Sequence, residues 1–165
     1  HAPMTEAHPT PHDELVAALV SQVQVLALAS DRIGALFAGQ HHLHTTDFRA
    51  LTAIYRAERV GRPLTARQLA DQLQISPGAV TYLVDRLAAS GHVFRDADPT
   101  DRRRVLLRIG EHGREVAFAF FGPLGQAHAD AMANYSDADL QVCLRFLEDV
   151  NAGLREFDEG LRTGE

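Results

Sequence analysis

Apolar residues between positions 76 and 91 recur with the period of a helix. They fall at i, i+3, i+4 and i+7, the spacing that makes one buried stripe, and they are Val80, Leu83, Val84 and Leu87. Ser76 supplies a hydroxyl cap and Pro77 suits the first helical position. Gly91 is typical of a helix end. The pattern predicts a helix from Ser76 to Ser90.

A second helix is expected just before this one. Thr65 and Gln68 have the capping-box spacing, in which each side chain satisfies a free backbone donor at the helix start. Leu69 and Leu73 then supply an apolar side, and few residues separate them from Ser76. The segment therefore predicts a helix, a short turn and a helix.

Two runs that favour β structure follow, at 93–95 and 105–109. The residues between them offer turn chemistry, so we expect a hairpin with a long tip. Three consecutive arginines from Arg102 to Arg104 stand in that tip beside Asp101. Arginine suits narrow minor grooves and bidentate phosphate contacts, although such a run standing alone is typical of a solvated turn. Helix, turn, helix and arginine-tipped hairpin together predict a winged helix-turn-helix, mainly α with a small β wing.

Rotation by 100° per residue places the polar side of the 76–90 helix opposite its stripe. An amphipathic helix of an all-helical domain, with Thr81 and Tyr82 merely solvated, is the alternative interpretation. The predicted DNA-contacting residues are Ser76, Pro77, Gly78, Thr81, Tyr82, Arg86, Asp101, Arg102, Arg103 and Arg104.

The charge distribution agrees with a nucleic-acid ligand. The whole chain has a net charge of −6, with 16 arginines and no lysine. Residues 46–110 hold 11 arginines against 7 acidic residues, whereas the rest hold 5 against 15. A basic segment inside an acidic chain fits DNA binding by the middle of the protein.

From Leu43 to Gly113 the chain resembles the MarR family of bacterial transcriptional regulators. The resemblance lies in the strings LTARQLADQL, SPGAVTYLVDRLAASGHVFR and DPTDRRRVLLRI. It implies a homodimer with interlocking N- and C-terminal helices, bound to a pseudo-palindromic DNA operator through helix 76–90 in the major groove. It also implies that Asp101 braces an arginine and that a wing arginine enters the minor groove. Tyr82 departs from the family, because arginine is common at its position.

Both ends of the chain predict helices for a subunit interface. The apolar face from Asp13 onwards is too wide for one contact, and another apolar stripe runs through a helix that Ser136 or Asp137 caps. A helix from Glu111 to Phe121 should break or kink at Gly122-Pro123. The predicted organisation is a disordered tail or vector-derived remnant at 1–12, an N-terminal dimerisation helix and loop at 13–45, the DNA-binding region at 46–110 and C-terminal dimerisation helices at 111–165.

The histidines at 41, 42 and 44 allow three interpretations. They could bind a metal, line a cleft for an aromatic acid, or form an ordinary polar loop, and their adjacent spacing favours the loop over a metal. The residues predicted for an aromatic effector are His42, His44, Phe118 and Phe121. No metal site and no cofactor is predicted.

Other classes of function find less support in the sequence. Cys143 is the only cysteine, which excludes an intrachain disulfide, and we interpret it as a small buried hydrophobe. We find no Gly-rich phosphate loop, nucleophile elbow or zinc-protease motif, so no enzyme is predicted. No uninterrupted apolar run of membrane-spanning length stands out, and we expect a cytoplasmic protein. The predicted function is a ligand-responsive repressor; the alternative is a winged-helix module that binds and titrates a partner regulator without specific DNA binding.

Overall fold

The computed structural model describes residues 9–164, so most of the tail predicted at 1–12 lies outside the described residues. Helix α1 spans Pro11–Gln40, starting two residues before Asp13. The reason is a capping box: the Asp13 N–H donates to Oγ1 of Thr10 over 3.2 Å, and the Thr10 N–H donates to the Asp13 carboxylate over 2.9 Å.

The other elements follow in the predicted order. They are α2 (Thr45–Arg59), α3 (Ala66–Leu73), α4 (Pro77–Ala89), β1 (Val93–Ala97), β2 (Val105–Ile109), α5 (Glu111–Met132) and α6 (Asp137–Thr163). The chain divides into two units, His1–Phe118 and Ala119–Glu165, with the boundary inside α5. The prediction of a mainly helical fold with a two-stranded wing is confirmed.

Helix α4 begins and ends as its sequence signals indicate. Ser76 Oγ accepts the Ala79 N–H over 3.1 Å. At the other end, Gly91 has a φ of +73°, and the His92 N–H donates to the Leu87 carbonyl over 2.9 Å. This is a Schellman motif, in which a left-handed glycine lets the backbone turn back on the last helical turn. It directs the chain straight from α4 into the wing.

The first unit has its apolar core under α4. The four stripe residues of α4 are all buried against α2, α3 and the strands. The largest side chains that are fully buried are Leu51, Ile54, Leu69, Leu87, Leu107 and Val84. The polar side of α4 therefore faces away from the core, as the helical period predicts.

The wing is anchored on both edges of β2. Along one edge β2 pairs antiparallel with β1, with Val93 opposite Ile109. Along the other, the Leu107 N–H donates to the Leu64 carbonyl over 2.7 Å, and the Ile109 N–H donates to the Glu58 carboxylate over 2.8 Å. The hairpin is thus held to α2 and to the segment before α3.

Three features differ from the sequence-based expectations. Helix α5 does not break at Gly122-Pro123 but runs on to Met132, since an internal proline removes one backbone hydrogen bond and the turns on either side can persist. Cys143 is exposed and not buried. Helix α1 is also long and apolar enough to span a membrane, by length and composition alone.

Candidate nucleic-acid interface

The outer face of α4 is polar and largely exposed, but most of its hydrogen-bonding groups already have partners. The Thr81 hydroxyl donates to the Pro77 carbonyl over 2.9 Å, and Ser76 caps the helix. Gly78 and Pro77 are exposed at the first turn. Tyr82 is 68% exposed and presents the largest apolar surface on this face.

Arg86, predicted as a DNA contact, is held by a carboxylate from α2. Its Nε donates to Oδ2 of Asp47 over 2.8 Å, and its Nη2 donates to Oδ1. The hydrogen-bonded Asp47 carboxylate raises the pKa of Arg86. Asp47 is buried, whereas the Arg86 side chain stays partly exposed. A direct DNA contact by Arg86 stays a prediction. It would use the N–H groups of the guanidinium that do not donate to Asp47.

The wing tip is shaped by two aspartates. Asp98 Oδ1 accepts from both the backbone N–H and the hydroxyl of Thr100, and these hydrogen bonds lower the pKa of Asp98. Asp101 Oδ1 accepts the backbone N–H of Arg103 over 3.0 Å. Within residues 9–164 no guanidinium nitrogen lies within 4.0 Å of the Asp101 carboxylate, so the bracing of an arginine side chain by Asp101 stays a prediction; Asp98 lies 3.5 Å from Arg104.

Arg102 and Arg103 are exposed at the end of the wing. Among residues 9–164, no carboxylate oxygen lies within 4.0 Å of either guanidinium. The backbone is fixed around them by the Asp101 hydrogen bond and by the Arg104 N–H, which donates to the Asp101 carbonyl. Two arginine side chains therefore project from a well-defined turn with their donors available to a polyanion.

An ion pair joins α4 to the wing. Arg95 of β1 donates to Oδ1 of Asp85 on α4 over 2.6 Å. Both side chains are exposed, so the pair contributes little stability. It nevertheless ties the outer face of α4 to the strand that leads to the arginine tip.

A groove of about 570 Å³ opens at the base of the wing, beside the start of α3. Arg62, Arg104 and Arg108 line it together with apolar surface from two prolines and Leu106. Arg104 and Arg108 lie 3.5 and 3.6 Å from Asp98 and Asp96, distances longer than ordinary hydrogen bonds. Their guanidinium groups keep donors for an anionic oxygen.

The junction of α4, the wing and α5 is tightly packed around His92. Its Nδ1 lies 2.6 Å from Ser90 Oγ, and its ring centroid lies 4.4 Å from that of His112. Burial, and secondly the neighbouring His112, lower the pKa of His92. At Gly113 a Cβ would lie 2.0 Å from the His92 carbonyl oxygen. Only glycine fits this contact between α5 and the turn after α4.

The residues predicted for an effector lie in two places along the chain. His42 is in the turn after α1, with a φ of +55°, and His44 precedes α2. Phe118 on α5 is exposed, and Phe121, in the second unit, packs edge-on against Phe120 at 5.0 Å. A shared ligand stays a prediction. Within residues 9–164, no group of three His, Cys, Asp or Glu side chains is arranged to hold a metal ion.

Sequence reasoning missed the residues that reach across the fold to hold this surface in place. Asp47, Glu58 and Arg95 were not predicted to support α4 or the wing, and Arg62 and Arg108 were not predicted to line a groove. The sequence signal that could have indicated such a partner is a charged residue next to an apolar one at the start of a helix, and Asp47 stands beside Phe48 in this way.

Comparison with known proteins identifies the relatives of this arrangement. A family model described as the MarR family matches residues 43–104. The HTH-type transcriptional regulator YcgE of Bacillus subtilis is 35% identical over 85 residues, which are 52% of this chain and 55% of YcgE. The chain thus spans about half the length of that relative.

Two further similarities extend over more of the chain. The HTH-type transcriptional regulator MhqR of Bacillus subtilis is 30% identical over 119 residues, which are 72% of this chain and 79% of MhqR. A MarR family transcriptional regulator from Listeria monocytogenes, solved in complex with a 26mer DNA, superposes with a TM-score of 0.65. That alignment covers 88% of this chain and 95% of the other at 18% identity, a likeness that shows the fold.

Proposed function

Because the chain belongs to the MarR family of transcriptional regulators, we propose that it is a sequence-specific DNA-binding repressor that acts as a homodimer on a pseudo-palindromic operator. The observation that carries this proposal is the pairing, in one unit, of the exposed outer face of α4 with the arginine-tipped wing. The Asp85–Arg95 ion pair joins these two surfaces. The DNA in the Listeria complex is consistent with the proposal.

Each part of this surface has a distinct role on the duplex. The first turns of α4 enter the major groove, where base edges differ most between the four base pairs. Arg102 and Arg103 enter the adjacent minor groove, whose negative potential attracts arginine. Arg62 and Arg108, in the groove at the base of the wing, hold backbone phosphates.

The homodimer buries apolar faces that a single subunit leaves in water. Leu28 of α1 and Leu161 of α6 are 72% and 69% exposed, and many apolar neighbours on both helices are exposed as well. Exposed apolar residues in such numbers on a helix indicate an interface. We expect light scattering to give twice the mass of 18.1 kDa.

A charge placed on that face tests the dimer. Leu161→Glu should shift the protein towards monomer or prevent folding, whereas Arg145→Glu, at an exposed polar position of α6, should leave the mass unchanged. A wild type that stays a folded monomer at micromolar concentration would contradict the homodimer.

The regulatory part of the proposal is relief of repression by a small aromatic acid. In the first unit His42, His44 and Phe118 are the proposed contacts, supported by the stacked rings of Phe37 and His41, which lie beside the two histidines in the sequence and have centroids 4.0 Å apart. Such a ligand lowers operator affinity only if it binds the non-binding conformation more tightly. Calorimetry with a panel of aromatic carboxylates, with and without duplex, tests this; no heat and unchanged DNA affinity for every compound would refute it.

Duplex selection followed by a salt titration tests the DNA-binding proposal itself. Two subunits that neutralise roughly 6 to 10 phosphates should lose about 10³- to 10⁵-fold in affinity between 50 and 200 mM salt. A footprint should show two half-sites about 10 bp apart. A module that only titrates a partner protein would enrich no duplex over random DNA at low salt, and that result would favour the alternative.

A further inference from the structure

The guanidinium of Arg86 connects the inside of the protein to the outer face of α4. On its inner side both oxygens of Asp47 accept hydrogen bonds from it, one of them over 2.8 Å. Asp47 is only 3% exposed and stands in the first turn of α2, 39 residues earlier in the chain. Two parallel hydrogen bonds to a carboxylate fix the plane of a guanidinium, which one contact cannot do. Arg86 therefore has a single orientation set by a buried partner.

On its outer side the same guanidinium lies over the ring of Tyr82. The Cζ of Arg86 is 5.1 Å from the ring centroid, within the range of a cation–π contact. The two residues are one helical turn apart, so their side chains are neighbours on the helix surface. An exposed tyrosine would otherwise exchange between rotamers. The chain of contacts from Asp47 through Arg86 holds the Tyr82 ring in one position.

The rest of the α4 face offers few free donors for reading bases. The Thr81 hydroxyl donates to the helix backbone, and the Asp85 carboxylate binds Arg95. With Arg86 bound to Asp47, no described side chain on this face resembles a free arginine poised for a bidentate contact to guanine. What the face does present is the aromatic ring of Tyr82, which is 68% exposed, and in the major groove apolar contacts recognise the 5-methyl group of thymine.

We propose that Asp47 and Arg86 are positioning residues that hold Tyr82 as the specificity-determining residue of α4, and that Tyr82 recognises the methyl group of one thymine in each half-site. This inference rests on the proposed function and specifies its base recognition. Asp47 touches no DNA, and its effect on sequence preference passes entirely through Arg86 and Tyr82.

The test compares affinities for the selected duplex with those for duplexes carrying single-base changes, including deoxyuridine in place of each thymine. Deoxyuridine removes the methyl group and leaves the pairing intact. Wild type should lose about fourfold per substituted half-site at one thymine position, the effect of about one buried methyl group. Tyr82→Phe should keep this preference and Tyr82→Ala should abolish it at that position alone.

The positioning role is tested with variants that leave the tyrosine in place. Arg86→Lys keeps the charge but lacks the planar fork that binds Asp47 in one orientation, and it should reduce the thymine preference at the same position. The double variant Asp47→Asn with Arg86→Gln restores a neutral hydrogen-bonded pair, which protects the fold, and it should lose the preference as well. Glu115→Gln, at an exposed position of α5, is the control and should leave the preference at that position unchanged. The salt dependence should be the same as in wild type for both Arg86 variants, because neither changes the net charge of the Asp47–Arg86 pair.

Each contrary result has a separate meaning. A Tyr82→Ala variant with the wild-type base profile, or with affinity lowered equally for every sequence, overturns the role of Tyr82. A base profile that changes in Tyr82→Ala but not in Arg86→Lys or the folded double variant overturns the positioning role. A wild type that selects no duplex at all overturns the proposed function and this inference with it.

Discussion

Replacing Glu58 by alanine should loosen the wing from the core. Its carboxylate accepts the Ile109 N–H over 2.8 Å, and its other oxygen lies 3.7 Å from Arg114 of α5. Ile109 is 3% exposed, so its amide lies in a buried site and loses its acceptor when the carboxylate is removed. A buried donor left without an acceptor costs about 1 to 3 kcal/mol, and hydrogen bonds to charged groups lie towards the upper end. The ion pair with Arg114 adds little, because it is long and half-exposed.

We therefore expect Glu58→Ala to lower the free energy of unfolding by about 2 to 3 kcal/mol and the Tm by roughly 4 to 12 °C, since ~1 kcal/mol corresponds to about 2 to 4 °C in a protein of this size. Urea denaturation at one fixed protein concentration measures the change, because assembly of subunits makes stability depend on concentration. Glu58→Gln can still accept the Ile109 N–H through its amide oxygen and should cost less. Glu115→Ala, at an exposed position of α5, is the control. A Glu58→Ala variant within about 0.5 kcal/mol of wild type would refute the anchoring role.

Three other predictions follow from the packing and the caps. Gly113→Ala should destabilise the protein by about 1 to 3 kcal/mol, because its Cβ would meet the His92 carbonyl oxygen. The control Gly125→Ala, in open space on the same helix, should be neutral or stabilising by up to about 1 kcal/mol. Equal shifts of the Tm in the two variants would contradict the close contact at Gly113. Folding lowers the pKa of His92 below its ordinary value of 6.5 and so favours the neutral imidazole. The free energy of unfolding should therefore be highest above pH 6.5 and fall as the pH drops from there towards the lowered pKa. His92→Gln should flatten this fall between about pH 7 and 5, and an unchanged pH profile of stability would exclude His92 as its cause. Ser136→Ala should cost about 0.5 to 2 kcal/mol through loss of the α6 cap, and an unchanged urea midpoint would show that the cap does not contribute.

The elements from α3 to β2 were predictable because their signals are local. The capping pairs at Thr65 and Ser76, the four-residue stripe of α4 and the glycine after it each act within a few residues. Such signals specify where a helix begins, which face it buries and where it ends. The polar face of α4 and the arginine tip of the wing follow directly from them.

The supports of this surface were not predictable, because their partners are distant in sequence. Asp47 and Arg86 are 39 residues apart, and Glu58 and Ile109 are 51 apart. No periodicity connects such positions. The helical period of α4 predicted that Arg86 faces outward, and its partial exposure supports this. The orientation of its guanidinium, however, is set by the Asp47 carboxylate on α2.

The ends of the chain show a different limit of sequence reasoning. The wide apolar face of α1 was recognised, yet it predicts burial without specifying the partner. Cys143 was interpreted as buried because leucines flank its position, and in the subunit it is exposed. The continuity of α5 through Pro123 depends on the stability of the turns on either side, which a single residue does not encode.

The most direct test of the central claim is hydrogen exchange of the full chain with and without a saturating amount of the selected duplex. Backbone amides in the first turns of α4 and in the wing between Asp98 and Arg104 should exchange more slowly in the complex, and the exposed surface of α6 near Arg155 should not change. A duplex that binds tightly while α4 and the wing exchange as in the free protein would contradict the account, because the DNA would then be bound by another surface.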